Sequence, residues 1–212
     1  MMALVLSLVL ALFCAAIAWC VKPLRNWLIA VVLAVGIVLS VLGAVFSPVE
    51  YPWTNIVVLL VAMSAGLLLG RAMSTKVWPF LLLLIVLSIL DVVQIVLTSG
   101  SPSPGTSSAG VPTAQLYGNF LLRLPWGRYN IGIFDLLLMT AMAEYWRKRG
   151  SDFLMAVAPG AIGLILAVGA GQFITGGLPL IPFLTAGWLV SVAIHRFRQR
   201  SERRLAGEKL NE

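Results

Sequence analysis

Seven long apolar runs are the feature of this sequence that most restricts how the chain can fold. A bilayer core of about 30 Å is crossed by roughly 20 apolar residues in helical conformation. None of the runs alternates with a period of two residues, and backbone in lipid must satisfy its own hydrogen bonds, so we expect each to be a helix. They cover residues 2–21, 27–46, 53–69, 77–98, 129–146, 153–174 and 178–195.

The composition supports an all-α, polytopic membrane protein. Apolar residues make up 60% of the chain and charged residues 11%, whereas soluble domains have about 25% charged residues. An ordinary soluble domain, a disordered chain and a disulfide scaffold are therefore excluded.

The first run lacks a basic start and is too long for a typical secretory signal, so we expect it to be a retained span. Cys14 and Cys20 lie on it about 9 Å apart along the axis, too far for a disulfide within one helix.

The basic residues predict the orientation of the spans. Thirteen of the fifteen Lys and Arg residues follow spans one, three, five and seven, and only Arg123 and Arg128 lie on the other side. By the positive-inside rule the N-terminus is outside and the C-terminal tail is cytoplasmic. We expect the basic tail to be a topology anchor that contacts anionic lipid, rather than a nucleic-acid binding site. We divide the chain into a three-helix part at 1–76, a four-helix part at 77–197 and a basic tail at 198–212.

One long connection, residues 99–128, separates the fourth and fifth spans. Its first half is rich in Ser, Gly and Pro, which is typical of a flexible external loop. Its second half, from Asn119, is apolar and punctuated by turn residues, which indicates an interfacial segment or a short strand.

Two acidic residues, Asp91 and Asp135, lie inside apolar runs, where each costs roughly 2.5–3.5 kcal/mol on insertion scales. They are about 10 Å and 9 Å from the outer ends of two antiparallel spans joined outside, so their carboxyls are expected at matching depth and facing each other. Around Asp91, a polar stripe at helical spacing suggests a wet cavity, and it consists of Ser88, Asp91, Gln94 and Thr98. Gly132, one turn before Asp135, would let another backbone approach.

Two carboxyls a few ångströms apart share one proton in a low dielectric, which suits general acid and base work on a peptide bond. The residues alone leave two alternatives open, a structural polar contact and a proton or ion pathway with Gln94 and Gln172 along it. The lone His195 has no second ligand nearby, so we expect no metal site and no cofactor. Glu144 is expected to pair with Arg147 and Lys148 at helical spacing.

Three motifs occur in the order found in one family of membrane enzymes. Ser88-Ile-Leu-Asp91 resembles that family's Tyr-Asp motif, and Gly132-Ile-Phe-Asp135 resembles Gly-x-Gly-Asp. After one more span, the segment Leu178-Pro-Leu-Ile-Pro182 resembles the Pro-Ala-Leu loop. The chain thus resembles the presenilin and signal peptide peptidase family of intramembrane aspartyl proteases. The segment from Phe120 to Pro125 also resembles the short extended segment before the family's second aspartate.

The resemblance covers the last four spans, and the sequence departs from the pattern at particular positions. Leu90 replaces the tyrosine, Phe134 replaces the second glycine, and Leu180 and Ile181 replace Ala-Leu. The first and third changes keep the carboxyl and the proline spacing, and Phe134 would alter substrate access. The family usually has nine spans. Seven is also an odd number, so the two ends of the chain would again lie on opposite sides of the membrane.

The resemblance implies an intramembrane aspartic endopeptidase with Asp91 and Asp135 as its catalytic pair. It assigns a substrate-binding edge to Gly132, Phe134, Leu178, Pro179, Leu180, Ile181 and Pro182. The predicted orientation is that of signal peptide peptidase, which implies transmembrane substrates with a cytoplasmic N-terminus. The partners expected are such peptides and the lipid bilayer, in a prokaryotic plasma membrane or a eukaryotic organelle membrane. A proton-coupled transporter and a non-catalytic membrane scaffold remain the alternatives.

Overall fold

The computed structural model describes residues 2–46, 53–98, 121–123, 130–170 and 179–208, and these contain seven helices and two short strands. The all-helical prediction is therefore confirmed, with one small addition of β-structure. The elements are α1 Met2–Cys20, α2 Asn26–Phe46, α3 Trp53–Ala72, α4 Val77–Thr98, β1 Leu121–Arg123, β2 Asn130–Gly132, α5 Ile133–Lys148, α6 Phe153–Ala170 and α7 Ile181–Glu208.

The two strands form an antiparallel pair at the entrance to α5. Leu121 pairs with Gly132, Leu122 with Ile131 and Arg123 with Asn130. The apolar segment after Asn119 thus contains a short strand, one of the two structures predicted for it. Because β2 continues directly into α5, Gly132 is both the last strand residue and the N-cap of the helix.

Two predicted helix boundaries are wrong. The fifth run was expected to be helical from residue 129, but α5 begins at Ile133 because the preceding residues pair as β2. The last run was expected to end at His195, but α7 continues to Glu208. Polar and charged residues that are good helix formers, such as Gln199 and Arg200, extend it beyond the apolar stretch.

Two helices have described portions long and apolar enough to cross a membrane, Asn55–Ala72 in α3 and Phe153–Ala170 in α6. Shorter apolar stretches occur in α1, α2 and α4, namely Leu8–Cys20, Asn26–Leu42 and Val77–Val93. The sixteen residues of α5 give a helix of about 24 Å, shorter than the hydrocarbon core. Association with a membrane is thereby supported by length and composition, while seven spans stay a prediction.

The core of the bundle is built around α5, which packs against α3, α1 and α6. Small residues let α3 approach closely: a Cβ on Gly66 would overlap the carbonyl oxygen of Leu137, and one on Gly70 would lie 2.7 Å from Cβ of Glu144. The crossing of α6 and α7 is equally tight, since a Cβ on Gly163 would lie 2.7 Å from Cα of Leu184. The helices before residue 76 therefore pack directly onto the later ones.

Helix α4 is attached to the bundle mainly through α7. Phe80 on α4 is fully buried, with its ring 5.4 Å from that of Trp188 on α7 and 5.2 Å from that of Tyr145 on α5. The outward face of α4 is apolar and exposed, including Leu82, Ile89 and Leu90. Such a face is expected of a helix that contacts lipid.

A buried charge cluster joins the ends of several helices. Glu144 is completely buried and accepts hydrogen bonds from Arg147, at 2.7 Å to Oε2, and from Arg71, at 3.1 Å to Oε1. The predicted pairing of Glu144 with Arg147 is present, and the hydrogen bond raises the pKa of Arg147. Lys148 instead donates to the carbonyl oxygens of Arg71 and Met73, both at 2.8 Å.

Candidate functional site

Asp91 lies on α4 two turns before the helix end and contacts the start of α7. Its Oδ2 accepts a hydrogen bond from the backbone N–H of Ile181, at 3.0 Å, and it also interacts with the backbone of Leu180. Ile181 lies between the two prolines of the motif and is the first residue of α7. The acid and the proline segment, 90 positions apart in the chain, are therefore in direct contact.

The contact has a simple physical cause. The first N–H groups of a helix have no partner within the helix, and a carboxylate placed there satisfies one of them and interacts favourably with the helix dipole. Pro182, in the first turn of α7, has no N–H to satisfy, as is common for proline at this position. A carboxylate that reaches Ile181 from another helix thus stabilises the beginning of α7.

A second polar contact lies one turn away along both helices. The hydroxyls of Ser88 on α4 and Thr185 on α7 are hydrogen-bonded at 2.8 Å, and Thr185 also donates to the carbonyl oxygen of Ile181. Ser88 and Asp91 therefore face α7, as one side of the predicted polar stripe. The side chains of Gln94 and Thr98 lie outside the described residues, so the rest of the stripe stays a prediction.

Asp135 occupies the first turn of α5, where its Oδ2 accepts a hydrogen bond from the backbone N–H of Gly132 at 3.0 Å. It was expected about six residues inside a helix; it is nearer the helix start because β2 replaces the first turns. Its other carboxylate oxygen makes no hydrogen bond to any residue in the described part of the chain. As a residue, Asp135 is half-buried.

The absence of a side chain at Gly132 leaves room for the carboxylate of Asp135. A Cβ at Gly132 would lie 3.0 Å from Oδ2 of Asp135, and no other described residue is close to that position. Among the described residues the close approach at this glycine is made by the acid itself, and the approach of a substrate backbone stays a prediction.

Each acid has its own backbone partner, the start of α7 for Asp91 and the start of α5 for Asp135. No hydrogen bond joins the two carboxyls in the part of the chain that the structure describes. Helix α4 packs mainly on α7, and α5 packs mainly on α3. That the two carboxyls face each other therefore stays a prediction.

The other predicted substrate-binding residues differ in exposure. Pro179, Leu180 and Pro182 are half-buried, and Ile181 is buried. The side chain of Phe134, next to Asp135, is 63% exposed, as would be required for contact with a ligand or lipid. Leu178 lies outside the described residues.

Sequence reasoning missed two polar residues of these contacts. Thr185 follows Ile181 by one helical turn, and a threonine in that position of an apolar helix entry was the available signal. Arg71 contacts Glu144 across 73 positions and also donates to the carbonyl oxygens of Val21 and Leu24, which no local pattern indicates.

The remaining polar candidates are explained by local contacts or lie outside the described residues. His195 stacks edge-on against Trp146, with ring centroids 5.0 Å apart, and its Nε2 is 3.0 Å from Nε2 of Gln199. Among the residues that the structure describes, no group of three or more His, Cys, Asp and Glu could hold a metal ion. Gln172 is not among the described residues.

Comparisons with models of protein families, with curated proteins and with solved structures found no match to this chain. The interpretation of the site therefore depends on its own residues and geometry.

Proposed function

We propose that this protein is an intramembrane aspartic endopeptidase that hydrolyses peptide bonds of transmembrane segments. Asp91 and Asp135 are its catalytic pair, and the segment from Leu178 to Pro182, with Gly132 and Phe134, forms the edge against which the substrate lies. No metal or cofactor takes part in this reaction.

One observation carries the proposal: the Asp91 carboxylate is hydrogen-bonded to Ile181 in the proline segment. Two motifs that are 90 positions apart in the sequence are thus joined by a single hydrogen bond. Peptide hydrolysis needs both acids and an extended backbone that holds the substrate, and the contact of the proline segment with Asp91 supports that assignment.

In the proposed reaction the two acids share one proton. The ionised carboxylate takes a proton from water as the oxygen attacks the peptide carbonyl carbon, and the protonated acid donates its proton to the carbonyl oxygen. The tetrahedral intermediate then collapses, the C–N bond breaks, and the acid that accepted the water proton transfers it to the departing nitrogen. The second acid recovers its own proton from the intermediate, so the pair returns to its starting state.

The substrate must present an extended backbone, because the amide groups of a helix are already hydrogen-bonded. The strand β1 pairs with β2 along one edge, and β2 ends at Gly132 beside Asp135. We propose that an unwound part of the substrate adds to this strand pair and runs past the acids toward Leu180.

The proposed topology has seven spans, the N-terminus outside and the tail in the cytoplasm. The described apolar portions of α3 and α6 support it, as does the exposed apolar face of α4. The acids then lie toward the outer side, and the Glu144 cluster lies near the cytoplasmic ends of its helices.

The catalytic assignment is tested by Asp91→Asn and Asp135→Asn, measured as cleavage of a quenched transmembrane peptide by the full chain in proteoliposomes. Asparagine keeps an oxygen that accepts the hydrogen bond from Ile181 or Gly132, so the structural contact is retained while acid and base function is removed. We expect each variant to lose at least about 10²-fold in rate.

The matched control is Asp152→Asn, which removes an acid that is 82% exposed at the opposite end of the bundle. We expect this variant to cleave at the parent rate. Cleavage that survives either Asp91→Asn or Asp135→Asn would show that the acids only stabilise helix starts. Loss of cleavage in the Asp152 variant as well would contradict the location of the site.

A further inference from the structure

An open groove of about 400 Å³ runs along α7 on the side of the molecule away from the two acids. Its lining residues are spaced by three or one positions, so they form a single face of the helix over about 16 Å. The lining residues are Leu189, Val192, Ala193, Arg196, Phe197 and Arg200.

The groove is divided into an apolar part and a cationic part. Leu189, Val192 and Ala193 lie in the part of α7 predicted to be within the bilayer, and Val192 is buried and forms the floor. Arg196 and Arg200 follow one and two turns later, at the predicted cytoplasmic surface, and both are exposed. Phe197, 74% exposed, lies at the boundary, where aromatic side chains are favoured.

The two arginines of the groove have no acidic partner among the residues that the structure describes. Arg198, between them in sequence, lies instead near Asp152, with a separation of 4.0 Å. A guanidinium group forms paired hydrogen bonds with phosphate oxygens, so two unpaired arginines one turn apart suit one phosphate group.

We propose that this groove binds one anionic phospholipid of the cytoplasmic leaflet, with its phosphate at Arg196 and Arg200 and an acyl chain along Leu189 and Ala193. A free phosphate has no apolar part, so it would leave Leu189 and Ala193 uncovered. An acidic peptide that covered them would have to place charge at the depth of Leu189. The inference uses the proposed membrane topology and does not depend on protease activity.

The test uses the purified full chain in detergent, with the amount of phosphatidylglycerol and phosphatidylcholine that remains bound measured by native mass spectrometry. We expect Arg196→Gln and Arg200→Gln each to lower the retention of phosphatidylglycerol relative to phosphatidylcholine by at least about fivefold, because each removes a charge-assisted hydrogen bond to the phosphate. Arg198→Gln removes the same charge from the same helix and is expected to have no such effect.

A second variant tests the apolar part without changing charge. Ala193 is exposed, so Ala193→Phe fills the groove without disturbing the core, and we expect it to reduce phosphatidylglycerol retention as well. Equal losses in the Arg198 and Arg196 variants, or unchanged retention in the Ala193 variant, would show general attraction to a basic helix and overturn the proposal. Displacement of the lipid by glycerol phosphate alone would also overturn it. Peptide cleavage by these variants is measured separately, so failure here leaves the catalytic assignment unaffected.

Discussion

At the scale of single residues, Glu144 is the most constrained ionisable group that the structure describes. Its carboxylate has no solvent exposure and lies between Arg71 and Arg147, whose side chains are 13% and 14% exposed. Removing one member of a buried charge cluster leaves the others desolvated without compensation. The cluster also fixes the loop after α1, because Arg71 donates to the carbonyl oxygens of Val21 and Leu24, at 2.9 and 2.7 Å.

We therefore expect Glu144→Gln to lower the free energy of unfolding by about 3 kcal/mol. Denaturant titration of the full chain in detergent micelles measures this change. Asp152→Asn is the matched control, with an expected change within about 0.5 kcal/mol, because its carboxylate is exposed. An equal effect in the two variants would mean that the buried cluster contributes nothing beyond net charge.

Of the two contacts predicted within one helix, Glu144 with Arg147 is present, whereas Lys148 bonds to carbonyl oxygens of another segment. The pair of Glu144 and Arg147 follows from a spacing of three positions. The contacts of Arg71 with Glu144 and of Asp91 with Ile181 join positions 73 and 90 apart, and no local pattern carries that information. The motifs indicated which residues belong together at the site, but not which atoms bond.

At the scale of helices and strands, close crossings act alongside large buried side chains, such as Phe80 and Trp188, to hold the helices together. Without water between helices, packing in a membrane depends on how closely the backbones approach. Gly66 and Gly70 are one turn apart on α3 and both contact α5, at Leu137 and Glu144. The spacing of these two glycines is the pattern of a membrane helix interface, and its partner helix was visible only in the structure.

We expect Gly66→Ala to destabilise the protein by about 1–3 kcal/mol, because a methyl group would overlap the carbonyl oxygen of Leu137 and push the helices apart. Thermal unfolding in detergent measures the effect. Gly169→Ala on α6 is the control: nothing lies within 4 Å of its Cβ position, so the better helix propensity of alanine should leave stability unchanged or slightly increased. Tolerance of alanine at Gly66 would contradict the close crossing of α3 and α5.

Helix boundaries were predictable only in part. They were misplaced where strand pairing intervenes and where charged helix formers continue a helix beyond its apolar run, as in α7. The bounds of α4 are those predicted, Val77–Thr98. The start of α5 was misplaced because Asn130–Gly132 has a hydrogen-bonding partner in β1, on the far side of the long connection. Strand pairing of three residues is too short to leave a periodic pattern in the sequence.

At the scale of the whole molecule, the orientation of the chain decides which side of the membrane the acids are reached from. Positive charge follows the odd-numbered helices, while the connection of residues 99–128 carries Arg123 and Arg128 alone. In the proposed topology, a substrate with a cytoplasmic N-terminus would have the orientation that the resemblance to signal peptide peptidase implies.

This topology is tested by single cysteines in a background with Cys14→Ala and Cys20→Ser. We expect a membrane-impermeant maleimide added outside sealed cells to label cysteine at Ser103 in the long connection and not cysteine at Ser201 in the tail. Labelling of both after permeabilisation is the control. Labelling at Ser201 alone in sealed cells would mean that the orientation is reversed. Equal labelling at both positions would contradict an odd number of spans between residues 103 and 201.

The hydrogen bond from Ile181 occupies one acceptor position on the Asp91 carboxylate. A carboxylate has two oxygens and about four acceptor positions, so the start of α7 would hold this side chain in place and leave the other positions to water. In the proposed reaction, one side chain would then both anchor a helix start and take part in the chemistry. A substrate would not have to displace the start of α7 to be cleaved.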